Sequence, residues 1–221
     1  MKHIVIGASG GLGAAFMRQL GADAIGLSRR SSPALDLLDE ASVAAAAAWV
    51  AARGEPELVI DATGFLHGEG FLPEKTLGAV TPAHMAHSFA VNAIGPALLL
   101  KHFLPLLPRR SRGVFVSLSA KVGSIGDNRA GGWYSYRAAK AALNQIIRSA
   151  AIEQARRNPQ TLCIAMHPGT VATGLSAPFA KTGLNVRPPE QAAAEMLAEI
   201  GRLGPEATGR FWSYDGSELP W

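Results

Sequence analysis

Ile4-Val5-Ile6-Gly7-Ala8-Ser9-Gly10-Gly11-Leu12-Gly13 opens the chain and decides how the rest of it is read. A short β-branched run meets a cluster of glycines and passes directly into an apolar, helix-like segment, residues 14–20. Strand, glycine turn and helix in that order form the context in which a glycine-rich stretch carries chemical information. Glycines let the turn close and let a backbone approach a pyrophosphate, whose charge then lies at the positive end of the helix dipole. The spacing is Gly-x-x-x-Gly-x-Gly (Gly7, Gly11, Gly13), not the commoner Gly-x-Gly-x-x-Gly. A tight turn with no ligand is the plain alternative, and the position at the head of an alternating chain weighs against it.

That alternation continues outward. Residues 24–27 read as a second strand, 34–37 as a weak third, 40–52 as a helix stopped by Arg53-Gly54-Glu55-Pro56, and 58–60 as a strand delivering Asp61-Ala62-Thr63-Gly64. Residues 65–82 are rich in Gly and Pro and read as loop. Residues 83–107 form one long helical pattern interrupted at Gly95-Pro96. Strands at 114–118, 162–166 and 209–214 and helices at 133–157 and 190–200 complete the series. The expected fold is α/β: one Rossmann-like domain over residues 1–221, with a doubly wound parallel sheet of about seven strands and helices on both faces.

The totals agree with a soluble globular domain. There are 221 residues, 48% hydrophobic and 17% charged, with a net charge of +4. The densest basic group, Arg109, Arg110 and Arg112, is too short to argue for nucleic acid, so no nucleic-acid partner is expected. The N-terminal apolar run is too short for a signal peptide and no apolar run reaches the length of a membrane span; the expected location is the cytoplasm. The single cysteine, Cys163, sits in an apolar run and reads as a buried thiol.

Two stretches carry chemistry of their own. At the end of the second strand, Ser28-Arg29-Arg30-Ser31 places guanidinium forks where a fold selective for NAD usually places a carboxylate, so the residues favour NADP(H), with NAD(H) as the alternative. In Trp133-Tyr134-Ser135-Tyr136-Arg137-Ala138-Ala139-Lys140, Tyr136 and Lys140 lie four apart and share one helix face. A cation beside a phenol favours the phenolate, which makes the pair an acid/base device; the bland alternative is a helix with one amphipathic Tyr and one solvated Lys. Tyr134 cannot replace Tyr136, since the residue four further on is Ala138.

Taken together, Gly7/Gly11/Gly13, Asp61-Ala62-Thr63-Gly64, Asn92, Tyr136/Lys140 and Pro168-Gly169 resemble, in order and interval, the markers of the short-chain dehydrogenase/reductase family, with Asp61-Ala62-Thr63-Gly64 standing where that family has Asn-Asn-Ala-Gly. The run from Gly123 through Asn128 to Gly131-Gly132-Trp133-Tyr134-Ser135-Tyr136-Arg137 is similar to the branch holding C-factor-like and sniffer-like carbonyl reductases. The resemblance implies an NADP(H)-dependent oxidoreductase that reduces a carbonyl compound or oxidises an alcohol. Tyr136 would be the general acid/base, Lys140 would lower its pKa and hold the nicotinamide ribose, and Asn92 would support a water relaying protons to Lys140. The cofactor would lie along Gly7, Ser9, Gly10, Gly11, Leu12 and Gly13, then Ser28, Arg29 and Arg30. It would pass Asp36 and Leu37 near the adenine and Ala62, Thr63 and Gly64, and end at Pro168, Gly169, Val171 and Thr173. A homodimer or homotetramer is the family's expectation.

One position departs from that pattern. The family's catalytic serine usually lies three residues before a loop glycine, and counting back from Gly123 reaches Ala120. Ser119 is the candidate to hold the substrate oxygen if the strand end adjusts by one residue, with Ser124 second and no serine third; an unadjusted Ser119 would point to the opposite face. Ala120 also keeps open a dinucleotide-binding signalling or regulatory protein with vestigial catalysis. His67, His84, His87 and His102 lack an accompanying Cys or carboxylate cluster at ligand spacing, so no metal is expected. The least regular stretches, 65–82 and 174–189, are expected to set the substrate, the second as a lid containing Leu175, Pro178 and Phe179.

Overall fold

The computed structural model describes residues 2–179 and 185–221. Its elements run β1 (His3–Ile6), α1 (Gly11–Leu20), β2 (Ala24–Leu27), α2 (Glu40–Ala51), β3 (Leu58–Asp61), α3 (Pro82–Phe89), α4 (Gly95–Phe103), β4 (Gly113–Leu118), α5 (Tyr134–Arg157), β5 (Thr161–His167), β6 (Thr170–Val171), β7 (Val186–Arg187), α6 (Pro189–Arg202) and β8 (Phe211–Ser213). Six strands form a parallel sheet in the order β2-β1-β3-β4-β5-β8, and β6 and β7 pair separately. The strand order reverses between β1 and β3, where a doubly wound sheet opens a crevice at its carboxyl edge. The register lines up Ile6, Asp61 and Ser117 along that edge.

Both faces of the sheet are buried, and the side chains sort by the period of two that a strand imposes. Ile4, Ile6, Val59, Phe115, Cys163 and Ala165 pack with Val43, Leu99, Phe103, Leu143 and Ile147 from α2, α4 and α5. Val5, Ile60, Val116, Leu162 and Ile164 pack on the other face with Phe16, Ala192, Ala193 and Met196 from α1 and α6. Cys163 is fully buried, and that burial pushes its thiol up to about 12.

Two expectations are corrected. Residues 34–37 are not a strand, so the parallel sheet has six strands where about seven were expected. The Leu35 amide donates to the Ser28 carbonyl and the Asp36 amide to the Ser42 hydroxyl, which turns this segment across the end of β2. The stretch 82–106 has the length and apolarity to cross a membrane, contrary to the reading that no run does. Here it is a core helix, whose Leu99 and Phe103 are fully buried against the sheet.

The helix is also not broken at Gly95-Pro96. Residues Ala90–Ile94 form a π-turn that joins α3 to α4, and the Gly95 amide donates back to Ala90. Pro96 has no N–H to offer the carbonyl of Asn92 four residues earlier, so the α-helical ladder must adjust at that turn. Asn92 thereby sits at a bulge facing the carboxyl edge of the sheet.

Candidate active site

The crevice begins at the first turn. Gly7 has φ +82, a left-handed conformation that an L side chain rarely adopts, and a Cβ at Gly13 would overlap the Gly7 carbonyl. This packing draws the start of α1 against the end of β1. Gly10 precedes the helix with no side-chain hydrogen bond capping it, and among the described residues the first turn of α1 holds no acid. The free amides of that turn and the bare glycine backbone fit a pyrophosphate.

Beyond the turn, a cavity of about 270 Å³ is lined by Gly7, Ser9, Gly10, Ser28, Arg29, Asp36, Leu37, Ala62, Thr63 and Gly64, all expected cofactor residues. Leu38, Glu69, His87 and Val91 line it too and were not foreseen, because they come from segments without a motif. Arg30 is not among the lining residues; it is exposed, and its amide donates to the Ser28 hydroxyl. Gly10, Gly11, Leu12, Thr63 and Gly64 continue into a second cavity that also meets Ser119, Tyr136, Lys140, Pro168 and Thr173. Gly13 and Val171 lie behind these walls, both buried.

Arg187 holds the far wall. It is 4% exposed, donates to the Pro168 carbonyl, pairs with Glu195 and stacks on Tyr214. Nothing in its sequence neighbourhood marks it.

Tyr136 and Lys140 are buried side by side on α5, with the ammonium 6.0 Å from the centre of the phenol ring. Lys140 Nζ donates to the Leu118 carbonyl at 2.8 Å. Burial pulls its pKa down to about 8 against the opposing pull of Asp61. Burial also raises the Tyr136 pKa, so in the cofactor-free protein the phenol keeps its proton. This differs from the expected lowering by Lys140: burial of the phenol disfavours the phenolate and is the cause of the shift.

The Asn92 side chain bridges the backbone of Phe65, accepting from its N–H at 2.9 Å and donating to its carbonyl at 2.8 Å. A Cβ on Gly64 would lie 3.6 Å from Asn92 Oδ1 and 3.9 Å from Lys140 Nζ, so the bare Gly64 backbone separates these two groups.

The serines at the end of β4 are each held by other groups. Ser117 donates to Asp61, which also accepts from the Thr63 hydroxyl and amide. Ser119 is 3% exposed and donates to Asn144 Oδ1 at 2.7 Å. Ser124 reaches the Trp221 carbonyl and accepts from the Asp127 amide. Ala120 lines the third cavity beside Tyr136.

That third cavity, about 580 Å³, has apolar walls from Leu66, Val122, Trp133, Leu175 and Phe179, with Lys121, Arg129 and Arg137 also on its lining. Trp133 stands edge-on to both Tyr136 and Phe179. Leu175 and Phe179, from the stretch expected to form a lid, line this cavity, and Pro178 is not on its lining; residues 180–184 of that stretch lie outside the described residues. His167 lines the same cavity, and burial, aided by Lys121 and Arg187, takes it down to about 4, so it is neutral. The other histidines are scattered: His84 on Glu74, His87 near Glu69, His102 on Glu40 and His67 on the Gly174 carbonyl.

A family model described as "Enoyl-(Acyl carrier protein) reductase" matches residues 15–205. The chain is similar to the 1-hydroxy-2-glutathionyl-2-methyl-3-butene dehydrogenase of a Rhodococcus species, 32% identical over 99% of this chain and 98% of the relative. It is similar to the C-signal protein of Myxococcus xanthus, 36% identical over 66% of this chain and 83% of that protein. Among solved structures, an NADPH-bound carbonyl reductase from chicken fatty liver superposes with a TM-score of 0.84 at 24% identity, covering 100% of this chain and 98% of that one. With a family model spanning most of its length and its motifs gathered at one edge of the sheet, the chain belongs to the short-chain dehydrogenase/reductase family of oxidoreductases.

Proposed function

We propose that this protein is an NADP(H)-dependent carbonyl reductase acting on an apolar ketone, aldehyde or quinone, with Tyr136 as the proton donor. The observation that carries this reading is the buried, protonated Tyr136 lying between the glycine-lined cleft and the apolar cavity. Bound NADPH would supply the hydride. Gly10, Gly11 and Leu12 would hold its pyrophosphate at the start of α1, Arg29 its 2′-phosphate, and Thr173 and Lys140 its nicotinamide end. The apolar cavity orients the carbonyl compound and excludes water. Tyr136 hydrogen-bonds the carbonyl oxygen and gives up its proton as negative charge develops there. Lys140 stabilises the phenolate that remains. The test is NADPH consumption across a panel of ketones, aldehydes and quinones with identification of the alcohol formed. NADPH binding with no turnover on any of these classes would favour a signalling or regulatory protein instead, the reading that similarity to C-signal and the alanine at position 120 support.

Cofactor choice rests on Arg29. Charge-assisted hydrogen bonds contribute about 1.5–3 kcal/mol, so Arg29→Ala should weaken NADPH binding roughly ten- to a hundredfold and leave NADH binding almost unchanged. Arg30→Ala, outside the cleft lining, should have a much smaller effect. Equal affinities of the parent protein for the two cofactors, unchanged by either substitution, would overturn the NADP assignment.

A pH profile tests the role of Lys140. Its amine is protonated below about 8 and neutral above. Carbonyl reduction creates a phenolate that needs the cation, so kcat/KM for reduction should fall as pH rises through about 8. A profile flat from neutrality to well above that value would remove Lys140 from the proton step.

A further inference from the structure

We propose that the Glu74 side chain, from 61 residues upstream, caps the amino end of the helix bearing Tyr136, and that through it the 65–82 loop positions the proton donor. The proposal goes beyond the assigned chemistry, and its catalytic consequence rests on the reading of Tyr136 as proton donor given above.

Helix α5 starts in an unusual way. Gly131, Gly132 and Trp133 have φ of +62, +64 and +53, three successive left-handed residues, so the chain turns sharply into Tyr134. Trp133 occupies the N-cap position, its side chain makes no capping hydrogen bond, and the first turn holds no acid. A helix start leaves amides without partners inside the helix, and here the turn also ends in the interior, since Ser135 is fully buried.

Glu74 answers both needs. It is a carboxylate only 3% exposed, in a loop without regular structure. Its backbone carbonyl accepts from the Trp133 amide at 2.5 Å. One carboxylate oxygen accepts from the Ser135 amide at 3.3 Å, and the other accepts from the Ser135 hydroxyl. His84 Nδ1, at the start of α3, stands 3.2 Å from that second oxygen, and the His84 ring is stacked on Phe71 at 4.9 Å. Burial pushes the Glu74 carboxyl up, and the hydrogen bonds from Ser135 and from its own backbone, with His84, together outweigh it and hold the group below its ordinary value.

A carboxylate accepting a first-turn amide is the ordinary chemistry of an N-cap, and its negative charge faces the positive end of the helix dipole. What differs is the source. The cap comes from the loop that also contributes Leu66 to the apolar cavity, and Ser135 is the residue next to Tyr136. Loop order and phenol position are therefore tied through one side chain. A displacement of about 1 Å at a reacting group can cost on the order of a hundredfold in rate.

Four variants of the full chain test this: Glu74→Ala, Glu74→Gln, Ser135→Ala and the Glu74→Ala/Ser135→Ala double. Two readouts are taken: amide hydrogen exchange in the peptide spanning 131–142, and kcat, KM and NADPH affinity. Glu74→Ala should raise exchange in that peptide about tenfold while sheet peptides such as 58–61 keep their protection. It should lower kcat roughly tenfold with NADPH affinity within about twofold. Ser135→Ala removes the hydroxyl bond and leaves the amide bond, so it should act in the same direction and less strongly, and the double variant should be no worse than Glu74→Ala alone. Glu74→Gln, which keeps an amide oxygen as acceptor, should recover part of the loss.

Exchange that is unchanged, or that rises equally across the whole chain, would overturn the cap. So would additive losses in the double variant. Where Glu74→Ala fails to fold, Glu74→Gln, which removes the charge facing the Ser135 amide and keeps the shape of the side chain, decides the same question by a rise in exchange at 131–142. If the parent protein reduces no carbonyl compound, the functional reading fails and the exchange measurement still decides the cap.

Discussion

Replacing Tyr136 with phenylalanine should lower turnover about 10²- to 10⁴-fold, the usual worth of a positioned general acid. The ring stays, so the edge-on contact with Trp133 and the packing around position 136 are kept. What is lost is the phenol proton of a residue that lines both cavities. NADPH affinity should change by less than about tenfold, the contribution of a single neutral hydrogen bond. A variant that binds NADPH normally and consumes none identifies the phenol as part of the chemical step. A variant that keeps a tenth or more of the parent rate would mean that another group donates the proton, and Lys140, protonated below about 8 and on the wall of the same cleft, would be the next to test.

The second large effect is a gain. Ala120→Ser should raise kcat about tenfold or more, while Ser119→Ala should leave it within about threefold. Removing one oxyanion-hole donor costs on the order of 10²–10³ in kcat, and a newly introduced donor recovers a fraction of that. The geometry behind the prediction is the alternation of β4. Phe115 belongs to the core on the α5 side, and Ser117 and Ser119 share its face, so the Ser119 hydroxyl meets Asn144 of α5. Ala120 has the opposite parity, an extended backbone (φ −142, ψ 141) and, like Ser119, a place on the wall beside Tyr136, with no partner already holding it. A hydroxyl added there needs no change of backbone. Steady-state kinetics on one responsive substrate separate the outcomes: loss of activity in Ser119→Ala with no gain in Ala120→Ser would return the oxyanion role to Ser119.

Much of this site was legible because its residues sit in local patterns. The glycine turn, the Tyr136/Lys140 spacing and Arg29 each follow directly from short stretches of sequence, and the chain order of strands and helices places them at one sheet edge. The absence of a strand at 34–37 was not legible, since the segment has strand-like composition and is drawn off by hydrogen bonds to Ser28 and Ser42. The apolarity of 82–106 could not separate a membrane span from a core helix, because burial against a sheet and burial in lipid demand the same side chains. Glu74 and Arg187 were invisible for a different reason. Glu74 lies in an irregular loop and Arg187 in the two-residue strand β7, and only the tertiary fold reveals that each is buried and what it meets. The shift of Tyr136 was misjudged from spacing alone, because spacing reports the neighbouring cation and says nothing of desolvation.

The central claim is hydride delivery to a carbonyl carbon at the Tyr136 edge of the sheet. The most direct measurement uses NADPH carrying deuterium at the transferable position, incubated with the protein and an apolar ketone or aldehyde, whose alcohol product keeps the label on carbon, with the product read by mass spectrometry. A reduced product carrying one transferred deuterium is expected for at least one of these classes, in amounts matching the NADPH consumed, and none with the Tyr136→Phe variant. Saturable NADPH binding with no label in any product would contradict it.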